Sequence, residues 1–150
     1  MIVQIRQANV ADVRKVTDLC ASHAAYERVG FDPAGHSDRL ASAMMGTPPR
    51  VIVLLAEQDE RQIGYASLSR EFSTWRGRDF MHMDCLFVVE AMRGRGVGRK
   101  LFNAVLEEAR RLGLDLVEWQ TPEWNDQAIL FYRGLGAVDR PKARFSIRSD

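Results

Sequence analysis

The sequence predicts an α/β domain on a mixed sheet, and three observations carry that prediction. Apolar stretches of strand length alternate with stretches of helical spacing, in the order βααβββαβαβ. Gly30, Gly46, Pro48-Pro49, Gly113, and Gly134 or Gly136 fall where those stretches should end. The 150 residues, 46% apolar and 27% charged, match one ordinary globular domain spanning 1–150, with no linker or repeat to divide it. A chain of this size buries roughly 70% of its unfolded surface and needs no disulfide or metal to fold.

Residues 2–6 alternate as a first strand. Asn9, with Asp12 three positions on, offers a capping-box start to a helix through Val13, Val16, Leu19, Cys20 and His23. A second helix runs from near Ser37 to Gly46, where the two prolines forbid continuation. Val51 to Ala56 reads as a buried strand, residues 57–60 as a polar turn, and 61–70 and 79–89 as two further strands. In the last of these, alternation puts His82, Asp84, Leu86 and Val88 on one face and Met81, Met83, Cys85 and Phe87 on the other. A long helix carries the stripe Val97, Leu101, Phe102, Val105, Leu106, Ala109 and Leu112 and stops at Gly113. A strand over 114–121, a short helix over 125–133 and a final strand over 143–148 complete the chain.

Charge and composition narrow the function. A net charge of +1 argues against general nucleic-acid binding. No apolar run approaches the roughly 20 residues of a membrane span, and the N-terminus lacks a signal-peptide pattern. The expectation is a cytoplasmic protein with neither nucleic-acid nor membrane partner. Cys20 and Cys85 are too few for a disulfide framework, and His23, His36 and His82 show no zinc spacing, so no metal is expected.

The sharpest local feature is the turn Arg93-Gly94-Arg95-Gly96-Val97-Gly98 between an apolar strand and an amphipathic helix. Glycines let backbone N–H groups approach an anion, and a helix N-terminus adds positive dipole. A dinucleotide fingerprint fails, because the third glycine would fall at Arg99 or Leu101, and no Gly-Lys-Ser/Thr follows for a P-loop. Arg93, Arg95, Arg99 and Lys100 crowd the turn, which favours an anion over arginines idling in solvent.

This Arg-x-x-Gly-x-Gly spacing resembles the pyrophosphate motif of the GCN5-related N-acetyltransferases. A second signature follows over residues 125–137, with Asn125, then Tyr132 seven positions on, then glycine. Together the two cover roughly residues 80–138. Tyr26-Glu27, Trp75 and Glu123-Trp124-Asn125 are similar to the diamine (spermidine/spermine) branch. The resemblance implies a mostly antiparallel sheet flanked by helices with splayed central strands, and direct acetyl transfer from acetyl-CoA to a small-molecule amine. It also implies a homodimer.

Carried over by the same resemblance, Leu86, Phe87 and Val88 would offer backbone groups to pantetheine. Gly94, Arg95, Gly96, Val97, Gly98 and Arg99 would hold the pyrophosphate, and Asn125 would both cap its helix and contact CoA. Tyr132 would be the general acid, since a phenol of pKa about 10 stays protonated until the thiolate leaves. Asp84 stands where the branch carries a substrate-side carboxylate, either a base or relay or a satisfied strand carboxylate. Tyr26, Glu27 and Glu118 are acceptor-side candidates, Glu118 sharing a face with Gln120, which cannot serve as a base. Cys85, on an apolar strand, reads as a buried inert thiol. Two alternatives stay open: acetylation of a protein N-terminus, a lysine or an aminoglycoside, and a non-catalytic acyl-CoA sensor.

Overall fold

Strands β2 (Ile52–Gln58) and β3 (Arg61–Ser73) form the middle of the sheet because their aliphatic runs suit burial on both faces. Val53 to Ala56 and Ile63 to Leu68 are buried without a break. With β1 (Gln4–Gln7), β4 (Arg78–Val88) and β5 (Val117–Glu118), they make one sheet in the order β1-β2-β3-β4-β5. The first four strands are antiparallel, and β5 joins β4 in parallel. This computed structural model describes residues 2–150 and contains two compact units, Met1–Gln120 and Thr121–Asp150.

In the first unit, helix α1 (Val13–Tyr26) covers one face of the sheet. Its Val16 and Leu19 pack with Ala8, Val53, Leu55, Tyr65 and Phe87. Helix α2 (His36–Met45) lies against α1, with Leu40 and Met44 at the edge of the same cluster. Helix α3 (Val97–Arg111) covers the other face through Val97, Leu101, Phe102, Val105 and Ala109, five of the expected stripe. Gly64 marks the closest approach on that side. A Cβ there would sit 2.7 Å from Phe87 O and 3.2 Å from Leu101 Cδ1, so only glycine lets the layers meet.

The expected capping box is present. Asn9 accepts from Ala11 N–H, and Asp12 accepts from Asn9 N–H, although the turn it opens is 3₁₀ before α1 begins at Val13. Arg6 ties this corner together. Its guanidinium donates to both oxygens of Asp12 at 2.8 Å and to Glu57 at 2.6 and 3.0 Å. The hydrogen-bonded guanidinium holds the Asp12 carboxyl down at about 2, and lowers Glu57 as well.

Strand β4 departs from simple alternation. Ser67 pairs with Cys85 while the next residue, Leu68, pairs with Met83, so Asp84 is an extra residue with no partner across the ladder. The bulge reverses the faces on either side of it. Cys85 and Phe87 join the α1 face, where they pack on Tyr65 and its neighbours. Met83 and Met81 follow Leu68 to the α3 face. The expected row Met81, Met83, Cys85, Phe87 is therefore two rows, because one inserted residue shifts a period of two by half.

Strand β5 is also shorter than the expected 114–121. Only Met81↔Val117 and His82↔Glu118 pair, and no ladder joins the two strands beyond them among the described residues.

In the second unit, helix α4 (Asp126–Gly134) is capped by Asn125, whose side chain accepts from Ala128 N–H. Arg133 pairs with Asp139 at 2.8 and 2.9 Å just beyond its end. The strand expected over 143–148 does not form. Phe145 and Ile147 are 91% and 97% exposed, and with no ladder partner an alternating segment has nowhere to place its N–H and C=O groups.

Candidate active site

The bulge at Asp84 and the early end of β5 together create a site. Val89 N–H donates to Ile63 O at 2.9 Å, so alternation turns the N–H and C=O of Val88 away from β3. Leu86 lies in the same phase. Phe87 faces β3 and spends its backbone groups on Tyr65 in the ladder. Of the three residues expected to present backbone, Leu86 and Val88 therefore do so, and Phe87 supplies its ring instead.

Five residues beyond Val88, after a 3₁₀ turn over Glu90–Met92, the chain enters the glycine turn. Gly94 and Gly96 have φ of 72° and 81°, a region where a side chain is strained, and a Cβ at either would project into open space. Gly96 is the N-cap of α3, no side chain caps that helix end, and no acidic residue lies in its first turn. The first N–H groups of a helix have no partner within it, so this end is a donor cluster facing outward. Arg95 and Arg99 flank it and are exposed. Gly98 continues the turn into the helix. Val97, 1% exposed, contributes its backbone only, because its side chain anchors α3 in the core.

The four basic residues do not act alike. Arg93 turns inward, where its Nε donates to Val88 O at 2.8 Å and its guanidinium lies 4.2 Å from the centre of the Tyr26 ring. Lys100 Nζ lies 3.5 Å from Val3 O. Arg95 and Arg99 stay exposed. The residues fit a pyrophosphate-bearing group: left-handed glycines, an uncapped helix start, two exposed guanidiniums, and a strand edge beside them.

On the α1 face, Tyr26 and Glu27 gather with Asp84 around Phe87. Tyr26 and Phe87 are 6.4 Å apart, and Tyr26 also serves as the platform for Arg93. Glu27 pairs with His23 at 3.0 Å, and the charges of Glu27, Asp84 and Arg93 all act on that imidazole. Asp84 is exposed and accepts from the Cys85 thiol at 3.7 Å. Glu118 does not join this group. It is exposed at the last β4–β5 pair, opposite His82, which itself lies 3.3 Å from Glu71.

Burial pushes the Cys85 thiol up to about 11, so it stays protonated and offers no thiolate nucleophile. In the second unit Asn125 is 6% exposed, and Tyr132 is half-buried with its ring 5.2 Å from Phe131. Sequence reasoning assigned no role to His23 or Tyr65. His23 Nδ1 lies 3.0 Å from Tyr65 Oη, and the ring stacks on Phe87 at 5.1 Å. The available signal was the i, i+4 spacing of His23 and Glu27 on one helix face.

A parallel pair that opens after two residues, leading by its longer strand into an anion-ready glycine turn, defines an acyltransferase-type α/β fold. The chain belongs to the acetyltransferase (GNAT) family, which its residues 17–137 match, and is an N-acetyltransferase. It is 28% identical over 149 residues to a thialysine N-epsilon-acetyltransferase of Bos taurus, covering 94% of this chain and 87% of that one. Over 70 residues, 47% of this chain and 44% of the relative, it is 37% identical to a D-amino-acid N-acetyltransferase of Saccharomyces cerevisiae. Its fold superposes on an aminoglycoside N-acetyltransferase solved with CoA at a TM-score of 0.84, with 18% identity over 99% of this chain and 96% of that one. No helix among the described residues is long and apolar enough to cross a membrane.

Proposed function

We propose that the protein transfers the acetyl group of acetyl-CoA to a primary amine of a small molecule, directly within a ternary complex. The observation that carries this is the continuity from the open edge of β4 at Leu86 and Val88 into the uncapped N-terminus of α3. Acetyl-CoA supplies an activated thioester. The chain's part is to bind, polarise and move protons. Leu86 and Val88 hold the pantetheine arm as an added strand would be held, and Gly94 to Arg99 hold the pyrophosphate. Asn125 adds a contact to CoA beside its capping role. The Val88 N–H donates to the carbonyl oxygen as negative charge develops there, and Arg93, bound to Val88 O, holds the adjoining Val88–Val89 peptide.

Asp84 takes up the proton that an ammonium must lose before attack, directly or through water, and Tyr132 protonates the departing thiolate. Glu27 and Tyr26 face the acceptor on the α1 side, with Glu118 at the opposite margin. A small cationic amine as acceptor draws support from the thialysine relative and from the carboxylates Glu27 and Asp84 around Phe87. The proposal includes one catalytic domain acting in the cytoplasm as a homodimer. The exposed Phe145 and Ile147 give the dimer something to cover.

Thiol release measured over a panel of amines with acetyl-CoA tests the function. Diamines, lysine analogues and other amino acids should turn over, aminoglycosides and peptides far less. CoA binding without turnover on any amine would leave a sensor, not an enzyme.

A further inference from the structure

His23 is partly buried, with its side chain 13% exposed, and both of its ring nitrogens are engaged. Nε2 is 3.0 Å from Glu27 Oε2, and Nδ1 is 3.0 Å from Tyr65 Oη. A carboxylate only accepts, so the proton sits on Nε2 and the neutral ring must accept at Nδ1 from the Tyr65 hydroxyl. This gives a one-way chain from Tyr65 O–H through the imidazole to Glu27. The chain is held firmly, because the ring is stacked on Phe87 at 5.1 Å and sits edge-on to Tyr65 at 5.9 Å.

Protonating His23 would break that order. Nδ1 would become a donor, Tyr65 would have to turn its own hydrogen elsewhere, and the thiols of Cys20 and Cys85 beside it are weak acceptors. Burial already favours the neutral ring and holds the imidazole below its usual range. Among the described residues, the charged groups acting on His23 are Glu27 from its own helix, Asp84 from β4 and Arg93 from the segment after β4, with the neutral Tyr65 from β3. Two carboxylates against one guanidinium leave a formal charge of minus one. A proton on His23 cancels it.

Given acetyl transfer to a small amine as proposed above, we propose that His23 is a positioning residue: neutral, it holds Glu27 as the carboxylate that receives the acceptor's cation, and protonated, it neutralises Glu27 and releases that cation. Glu27, with a side chain 26% exposed, offers the cation a partly solvated carboxylate while His23 fixes one oxygen. The protein would thus bind cationic acceptors best above the His23 titration and poorly below it, independently of the acceptor's own proton.

The test uses butyltrimethylammonium, a cation with no titratable proton, and calorimetric binding to the CoA-saturated protein from pH 4.5 to 8. The wild type should bind it about tenfold more tightly at pH 8 than below the His23 midpoint, as expected for a unit charge a few ångströms away. His23→Gln keeps a donor towards Glu27 and cannot titrate. It should bind nearly as the wild type at pH 8 and lose the step attributed to His23, while Glu27→Gln should bind about tenfold more weakly at pH 8. CoA affinity, measured alongside, shows that each variant is folded. On the wild-type protein, the His23 ring resonances followed by NMR should titrate with the same midpoint as the affinity. An unchanged step in His23→Gln, a Glu27→Gln protein that binds like the wild type, non-coincident midpoints, or no cation binding to a CoA-loaded protein would each overturn the assignment. A failure to bind CoA at all would instead overturn the proposed function.

Discussion

Single residues divide here into those whose chemistry is local and those whose neighbours decide it. The role proposed for Tyr132 is of the first kind, since it rests on the acidity of the phenol itself. Tyr132→Phe should lower the acetyl-transfer rate about 10²-fold and remove the loss of rate at high pH, where the phenol would ionise. An unaltered rate across pH would end its role as acid. Arg93 is of the second kind. Its sequence neighbourhood suggests a phosphate contact, yet its guanidinium lies over Tyr26 and its Nε donates to Val88 O. Nothing in a one-dimensional spacing separates it from Arg95 and Arg99, because the sign of a charge does not say which way the chain turns. His23 is similar: at helical spacing it counts as one more core position, and only the hydroxyl of Tyr65, 42 residues away, reveals a hydrogen-bonded chain.

At the scale of elements, helices were the most legible. The expected stripe on α3 and the Gly113 stop are both observed, since periodicity over 15 residues leaves little freedom. The glycine turn was legible too, because left-handed φ at Gly94 and Gly96 is a demand that few residues meet. Gly96→Val should raise the Kd for CoA at least tenfold, by straining the turn and placing a side chain in the anion's path, with helical circular dichroism retained. Calorimetry that finds the wild-type Kd would refute the cradle. Strands were less legible. The Asp84 bulge carries no sequence mark, as Asp is an ordinary turn and bulge residue, and it alone separates the Met81/Met83 row from Cys85 and Phe87. Residues 143–148 show the converse case, where a correct alternation found no partner.

For the molecule as a whole, stability at low pH is set by the Arg6 corner joining β1, the first turn and β2. Asp12 is held at about 2, below its usual value of 3.8, and Glu57 is lowered too, so the unfolded chain binds more protons than the folded one in acid. The stabilisation is complete above the unfolded carboxylate values and is lost as pH falls from about 5 to 2. Urea midpoints should therefore drop over that window. Arg6→Met should flatten the drop and cost about 1–2 kcal/mol at neutral pH, a figure discounted for the 37% exposure of the Arg6 side chain. A slope as steep as the wild type's in that variant would assign acid sensitivity elsewhere. The sequence by itself determined the helices, the glycine turn and the family, because each rests on local periodicity or on backbone angles that few residues tolerate. Only the tertiary structure decided which backbone groups of β4 stay open, which arginines stay exposed, and that His23 links Tyr65 to Glu27. Those outcomes depend on strand register and on side chains meeting across dozens of residues, and the order of residues along one strand does not encode what its neighbour brings.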